Sequence, residues 1–190
     1  IIQQFPDNFK RPTFRSTVRN DNGYKLMDIE EHSNGVKNKL FIYDRFDTDH
    51  KEYISLEKSE VENIQKEGKI AIVEIDLEGA KKMNRLDCDA NFIGILPPSL
   101  DALRHRIKEH TKLNTEKING ELEKAADEIK EIEKYTFFVF RIINDVLETG
   151  LKDVKNSMIS LFPKLKYSDE MIEELHNMDF NKVEENKTDD

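Results

Sequence analysis

Two carboxylates, Glu74 and Asp76, lie at the end of a short apolar segment, where they could hold a metal ion or accept hydrogen bonds from a ligand. The apolar segment covers residues 70–75, and a second one, residues 92–96, follows after a gap long enough for a helix. Two buried strands separated by a helix are typical of a parallel β-α-β unit. Loops after such strands bind ligands in open α/β sheets, so we expect a site near residues 76–79 and 97–99.

The composition argues against several other kinds of function. With 30 basic and 39 acidic residues, the net charge is −9, which disfavours binding of nucleic acids through their phosphate backbone. A single cysteine, Cys88, cannot form a disulfide framework or a cysteine zinc cage, and the histidines lack metal-binding spacing. No apolar segment approaches the ~20 residues that cross a bilayer. We therefore expect a soluble, cytoplasmic protein with no metal, no cofactor, no nucleic-acid partner and no membrane partner.

The pattern of apolar residues predicts the secondary structure. Strand-length apolar segments alternate with segments of helical period, which indicates an α/β fold with a mainly parallel sheet flanked by helices. The polar segment 20–37 is predicted to be a loop, Ser55 to cap the helix that Gly68 ends, and Ser99 to cap the next but one. The predicted strands are 14–18, 39–46, 70–74, 92–96 and 137–141, and the predicted helices, apart from the one between the two apolar segments, are 57–66, 100–109, 116–134 and 146–161.

Four motifs, in order along the chain, resemble the guanylate kinase family. The core of that family is similar to VEIDLEGA at 73–80 and ILPPSLDALRHRI at 95–107. FRSTVR at 14–19 lies where the family has a Thr-Thr-Arg motif, and IIND at 142–145 resembles the end of its last strand. The resemblance covers residues 1–165 and implies a P-loop-kinase-like fold with a reduced GMP-binding-type lobe. We predict that residues 166–190 form an acidic extension with a short helix and a disordered tail.

The motif that holds ATP phosphates in this family, G-x-x-x-x-G-K-[ST], does not occur in the sequence. Residues 1–5 resemble the last turn of a helix that follows the P-loop in guanylate kinases. We therefore expect the N-terminal strand and the P-loop to lie upstream of Ile1.

The resemblance assigns residues to a cleft that binds GMP in the family. Arg19 matches the first of two arginines that hold the GMP phosphate, and Asn22 replaces the second, which removes a charge and a bidentate donor. Ile54 replaces the glycine of a Tyr-Gly-Thr/Ser motif. The carboxylate that reads guanine falls at Asp44, with Tyr43 as an equally good match. The residues assigned to this cleft are Arg19, Asp44, Tyr53, Ser55, Glu74 and Asp76.

For Glu74 and Asp76 two interpretations stay open. The functional one is contact with Mg²⁺ and guanine. The structural one, which we favour about two to one, is helix capping and hydrogen bonding within the loop.

The lid, which carries arginines that stabilise the transferring phosphoryl group in the family, departs further from its pattern. Arg106 matches one lid arginine, whereas His110 and Glu121 occupy the positions of two others. Loss of one such electrostatic donor typically costs ~10²–10³ in rate. We therefore expect no catalytic residues and no phosphorylation of GMP.

These departures lead to a non-catalytic guanylate-kinase-like domain as the main hypothesis. It would be a protein-interaction or scaffold module in a larger assembly, with a place in the cytoskeleton or a cilium suggested by the general resemblance to domains in leucine-rich-repeat proteins. Its docking face would include Arg19, Arg45, Tyr53, Ser55 and Asp76. The alternatives are a guanylate kinase that converts ATP and GMP to ADP and GDP, and a sensor that binds a guanine nucleotide weakly without turnover.

Overall fold

The computed structural model describes residues 1–3, 5–21, 23–48, 50–86 and 88–163, which form eight strands and six helices. The extension predicted for residues 166–190 therefore lies outside the described residues, as does Asn22. The strands are β1 (Phe9–Lys10), β2 (Phe14–Ser16), β3 (Tyr24–Leu26), β4 (Phe41–Asp47), β5 (Glu52–Glu57), β6 (Ile70–Ala71), β7 (Phe92–Leu96) and β8 (Phe138–Ile143), and the helices are α1 (Ile29–Lys37), α2 (Lys58–Lys66), α3 (Leu77–Arg85), α4 (Leu100–His110), α5 (Thr115–Lys134) and α6 (Leu147–Leu161).

Two parallel strand pairs confirm the predicted α/β class. β1 pairs with β6, and β7 pairs with β8. The two apolar segments that predicted one β-α-β unit thus have separate partners, and β6 stops well before residue 74. Its partner β1 is only two residues long, and it is followed by Pro12, which has no N–H to donate to a ladder.

A mixed four-stranded sheet, the lobe sheet, accounts for the N-terminal third of the chain. Its order is β3-β2-β5-β4, with β2 and β3 parallel and β5 antiparallel to both of its neighbours. The strand predicted at 14–18 therefore belongs to the lobe sheet and not to the parallel pairs. Ser55 lies inside β5, between β2 and β4, so its predicted role as a helix cap is wrong: strand pairing on both sides outweighs the local capping preference.

Helix α1 replaces the loop predicted over residues 20–37. Asp28 caps it, because its side chain accepts from the backbone N–H of Glu31 while the Glu31 side chain accepts from the Asp28 N–H. The helix buries His32 and Gly35 against the lobe sheet in place of an aliphatic stripe. This explains why the apolar period, which normally reveals a surface helix, is weak here.

The other predicted boundaries are close to those observed. Ser99 accepts from the backbone N–H of Ala102 and caps α4, as predicted. Gly68 follows the last residue of α2 with a φ of +77°, a conformation that favours glycine.

The main core lies where α3 packs between the lobe sheet and the β7–β8 pair. Leu56 and Ile54 of the lobe sheet are almost fully buried, and Leu77 and Met83 cover them from α3. Phe92 and Phe138 complete this cluster from the β7–β8 pair. Within the described ranges, no helix combines the length and the apolar character needed to cross a membrane.

Candidate functional site

A cleft of about 350 Å³ opens between the lobe sheet and the loop that joins β6 to α3. This volume lies within the range of roughly 300–1,000 Å³ that is typical of small-molecule sites. The cleft combines aromatic rings, two arginines and two carboxylates, which together can hold a planar, charged molecule. Its walls are Arg11, Phe14, Tyr24, Tyr43, Arg45, Ile54, Glu74, Ile75 and Asp76.

Asp76 stands at the mouth of α3 and is surrounded by donors. Its Oδ1 accepts from the backbone N–H of Gly79 at 2.8 Å, and its Oδ2 lies 3.4 Å from the Tyr43 hydroxyl and 3.8 Å from Nε of Arg45. Asp76 therefore caps α3, as the structural interpretation expected. A carboxylate with donors on both oxygens does not fit a metal ligand, so the Mg²⁺ interpretation finds no support at Asp76, while Glu74 remains an exposed carboxylate in the cleft wall.

Tyr43 keeps its proton over the whole physiological range. Burial, and after it the negative charge of Asp76, raises the pKa of the Tyr43 hydroxyl well above its usual range. Its ring packs edge-on against Phe14, with the ring centroids 6.0 Å apart. Tyr43 is thus a neutral hydrogen-bond donor on a fixed ring at the back of the cleft.

Three residues assigned to the cleft by resemblance lie on the other face of the lobe sheet. Side chains alternate along a strand, so with Tyr43 and Arg45 toward the cleft, Asp44 points to the opposite face. There Asp44 Oδ1 accepts from Ser55 Oγ at 2.7 Å and from Nε2 of His32 at 2.9 Å.

The ring of Tyr53 stacks on the same His32 at 4.1 Å between centroids, under α1. Asp44 borders only a smaller adjoining cavity of about 190 Å³, and Ser55 is fully buried. The structure therefore separates Asp44, Tyr53 and Ser55 from Glu74 and Asp76.

Arg19 is bound to a buried carboxylate. Its Nη2 contacts Oε1 of Glu52, which is fully buried and also accepts from the Ser16 hydroxyl, and Asp47 Oδ2 lies 3.9 Å from the same nitrogen. Its guanidinium stacks over the ring of Tyr24 at 4.2 Å. The hydrogen bond from Glu52 raises the pKa of Arg19 still further. Arg19 therefore stabilises the lobe sheet.

The ionisation of Glu52 predicts a pH dependence of stability. Burial raises the pKa of Glu52, but the hydrogen bonds from Arg19 and Ser16 outweigh it and hold the pKa below the ordinary value of 4.5. Such a group stabilises the fold fully above its unfolded-state pKa, and this contribution is lost as the pH falls through the lower folded-state value. We expect wild type to exceed the Glu52→Gln variant in Tm at pH 7, with the difference shrinking between pH 4.5 and pH 3. A Tm difference that does not change with pH would contradict this assignment.

One group of side chains could in principle hold a cation. Asp47, His50 and Glu52 place their ligand atoms within 4.8 Å of one another. Two guanidinium groups compete for the same oxygens, however, because Arg19 contacts Glu52 and Arg45 lies 3.6 Å from Asp47. We therefore do not assign a metal to this group.

The residues expected in the lid lie away from the cleft walls. Glu121 is exposed on α5 and pairs with Lys124 at 2.9 Å, and His110 is exposed at the end of α4. Arg106 donates to the carbonyl oxygens of Asn144 and Asp145 at 2.7 and 2.8 Å, so it joins α4 to the segment after β8.

A substitution at Arg106 tests this structural role. We expect Arg106→Ala to lower the free energy of unfolding by about 1–2 kcal/mol, because two carbonyl oxygens lose a charged donor. Arg106→Lys is the matched control: it keeps the charge but cannot span both oxygens, so it should restore only part of the loss. Urea unfolding of the three proteins measures the effect, and an Arg106→Ala protein as stable as wild type would refute it.

Three cleft residues were not identified from the sequence, namely Arg11, Phe14 and Tyr24. Phe14 and Tyr43 face the cleft from neighbouring parts of the lobe sheet, so the alternation of side chains along the predicted strand 14–18 could have indicated Phe14. Tyr24 lies in a segment predicted to be a loop. No local pattern marked Arg11.

Comparison with known proteins decides the family. The family model described as guanylate kinase matches residues 2–161. The chain belongs to the guanylate kinase family. It is 31% identical over 152 residues to a guanylate kinase of Porphyromonas gingivalis, covering 79% of this chain and 78% of that one. It is 34% identical over 108 residues to a guanylate kinase of Clostridium perfringens; this match covers 57% of the chain and spans about half, 49%, of that relative.

A solved structure supports the fold. The crystal structure of guanylate kinase from Anaplasma phagocytophilum matches with a TM-score of 0.59 over 86% of this chain and 80% of that one. Because the sequence identity is 21%, this likeness bears on the fold alone. It confirms the P-loop-kinase-like α/β architecture.

The comparisons overturn the non-catalytic hypothesis. Relatives at 29–36% identity are named guanylate kinases, so the expectation of a chain that is not an enzyme is wrong, and the pseudoenzyme, scaffold, cytoskeletal and ciliary roles are without support. The physical error lay in the lid argument. It gave weight to His110 and Glu121, whose exposed side chains do not line the cleft, and to Asn22, which lies outside the described residues. The expectations about partners stay predictions.

Proposed function

We propose that this chain is part of a guanylate kinase, which transfers the γ-phosphoryl group of ATP to GMP. The observation that carries the proposal is the cleft itself, which places aromatic rings, carboxylates and arginines together in a guanylate kinase fold. The described residues would supply the site of the acceptor nucleotide.

The reaction asks the protein for position and charge more than for covalent chemistry. An oxygen of the GMP phosphate attacks the γ-phosphorus of ATP, the bond from that phosphorus to the β–γ bridging oxygen breaks, and ADP leaves as GDP forms. Holding the acceptor in line for this attack converts a bimolecular step into a nearly unimolecular one, which is a large part of catalysis.

The carboxylates and rings of the cleft suit guanine. Guanine carries N–H donors on one edge, and Glu74 and Asp76 offer acceptor oxygens in the cleft wall. The rings of Tyr24 and Tyr43 offer flat apolar surfaces for a base, and the Tyr43 hydroxyl adds a donor that stays protonated. These contacts are proposals that follow from the placement of the residues.

A coupled assay of the full-length protein with ATP and Mg²⁺ tests the function. We expect turnover of GMP above about 1 s⁻¹, the low end for ordinary enzymes, and much slower turnover of AMP, CMP and UMP. Asp76→Asn is the informative variant, because asparagine still accepts from the Gly79 N–H and keeps the helix cap but carries no charge. A folded protein that does not phosphorylate GMP, or that prefers another nucleotide, would contradict the proposal.

A further inference from the structure

The resemblance assigns the phosphate of the acceptor nucleotide to Arg19, but the contacts of Arg19 leave it poorly suited to that task. Its charge is already met by Glu52, which is fully buried, and by Asp47 at 3.9 Å. To bind a phosphate with the same nitrogens, Arg19 would have to leave Glu52 as an uncompensated buried charge. Such a separation is strongly unfavourable.

Two other arginines face the cleft with less committed charge. Arg45 lies 3.8 Å from Asp76 and 3.6 Å from Asp47, which is beyond ordinary hydrogen-bond length in both cases, and its side chain is 43% exposed. Arg11 is exposed in the cleft wall and makes no ion pair within the part of the chain that is described. Both guanidinium groups can therefore turn to a ligand at small cost.

We infer that Arg11 and Arg45 bind the phosphate of the acceptor nucleotide in this cleft. The inference rests on the proposed function, and it names the groups that hold the anionic end of that substrate. Guanidinium groups pair with phosphate oxygens through two parallel N–H···O bonds, which fixes the orientation of the phosphate as well as its position. Arg19 keeps its partner Glu52 and serves as a support of the lobe sheet.

The carboxylates of the cleft strengthen the need for both arginines. Glu74 and Asp76 lie in the same cleft, and their negative charge repels a phosphate. A single arginine that is shared with Asp76 and Asp47 leaves this repulsion largely in place. Two arginines on opposite edges of the list of strands, one before β2 and one on β4, can balance it and still leave the carboxylates for the N–H groups of a base.

Binding of GMP and of guanosine to the full-length protein separates a phosphate contact from a structural effect. Guanosine lacks the phosphate, so a residue that contacts only the phosphate changes the Kd of GMP and leaves that of guanosine alone. We expect Arg11→Met and Arg45→Met each to weaken GMP binding about tenfold, with the Kd of guanosine unchanged. Arg104→Met, at a site outside the cleft walls, is the matched control and should leave both Kd values unchanged.

A paired substitution addresses Arg19. The double variant Arg19→Met plus Glu52→Met removes the buried ion pair as a unit, which avoids an unpaired charge. If this variant loses the preference for GMP over guanosine while Arg11→Met and Arg45→Met keep it, the phosphate belongs to Arg19 and the inference is overturned.

Equal loss of GMP and guanosine binding in the Arg11 and Arg45 variants also overturns the inference, because it indicates a structural role. A wild-type protein that binds AMP as tightly as GMP overturns the proposed function, and the inference with it.

Discussion

Gly79→Ala is expected to destabilise the protein by about 1–3 kcal/mol and to weaken GMP binding at the same time. A Cβ at this position would overlap the ring of Tyr43 and approach Asp76 Oδ1 to 3.0 Å. The ring cannot move away freely, since Tyr43 is 4% exposed and packs against Phe14 in the core. Displacing Tyr43 changes the back wall of the cleft, which is why stability and ligand binding should fall together.

Gly120→Ala is the matched control for this substitution. Gly120 also lies within a helix, α5, but a Cβ there would meet no atom within 4 Å. Alanine is the better helix former by about 1 kcal/mol, so this variant should be slightly more stable than wild type and bind GMP normally. Chemical unfolding and calorimetric titration of both variants give the comparison. A Gly79→Ala protein that behaves like Gly120→Ala would refute the close packing of Tyr43 on α3.

Glu52→Ala is expected to cost about 2–3 kcal/mol of the free energy of unfolding. The carboxylate is fully buried and bonded to Arg19 and Ser16, so its loss leaves a cation and a hydroxyl without their acceptor. Breaking a fully buried pair costs about 3–5 kcal/mol. Arg19 is 31% exposed, and water screens part of its charge, so the expected value lies below or at the lower end of that range.

An exposed ion pair offers the control for Glu52. Glu67 contacts Lys10 at 2.8 Å, with both side chains 46% exposed. Exposed pairs contribute little, so Glu67→Ala should unfold at the same urea concentration as wild type. Equal effects of Glu52→Ala and Glu67→Ala would show that burial of the Arg19–Glu52 pair does not support the lobe sheet.

Much of the architecture could be predicted because its local signals and its tertiary contacts agree. Ser99 after two prolines begins α4, and the helical period of α5 matches its observed bounds. The same kind of signal misled where tertiary contacts opposed it. Ser55 has the chemistry of a helix cap but lies in a strand paired on both sides.

Helix α1 escaped prediction for a different reason. Its capping box, Asp28 with Glu31, was present in the sequence, but the face toward the sheet carries His32 and Gly35 in place of an apolar stripe. A polar, glycine-containing segment indicates a loop on composition alone. Only the packing of the lobe sheet reveals why such a face is buried.

The candidate site was predicted in part. The acids at the end of the apolar segment, Glu74 and Asp76, do line the cleft. Family resemblance cannot fix the face of a strand, because a register difference of one residue reverses every side chain. For this reason Asp44, Tyr53 and Ser55, matched by motif, lie under α1, whereas Tyr24 and Arg45 stand in the cleft.

A crystal structure of the full-length protein with GMP tests the central claim most directly, since the two faces of the lobe sheet place the nucleotide in different surroundings. We expect GMP in the cleft, with the base beside Tyr24, Tyr43 and the Asp76 carboxylate. GMP bound under α1 against Asp44 and Tyr53, or a cleft that stays empty at saturating GMP, would contradict the account.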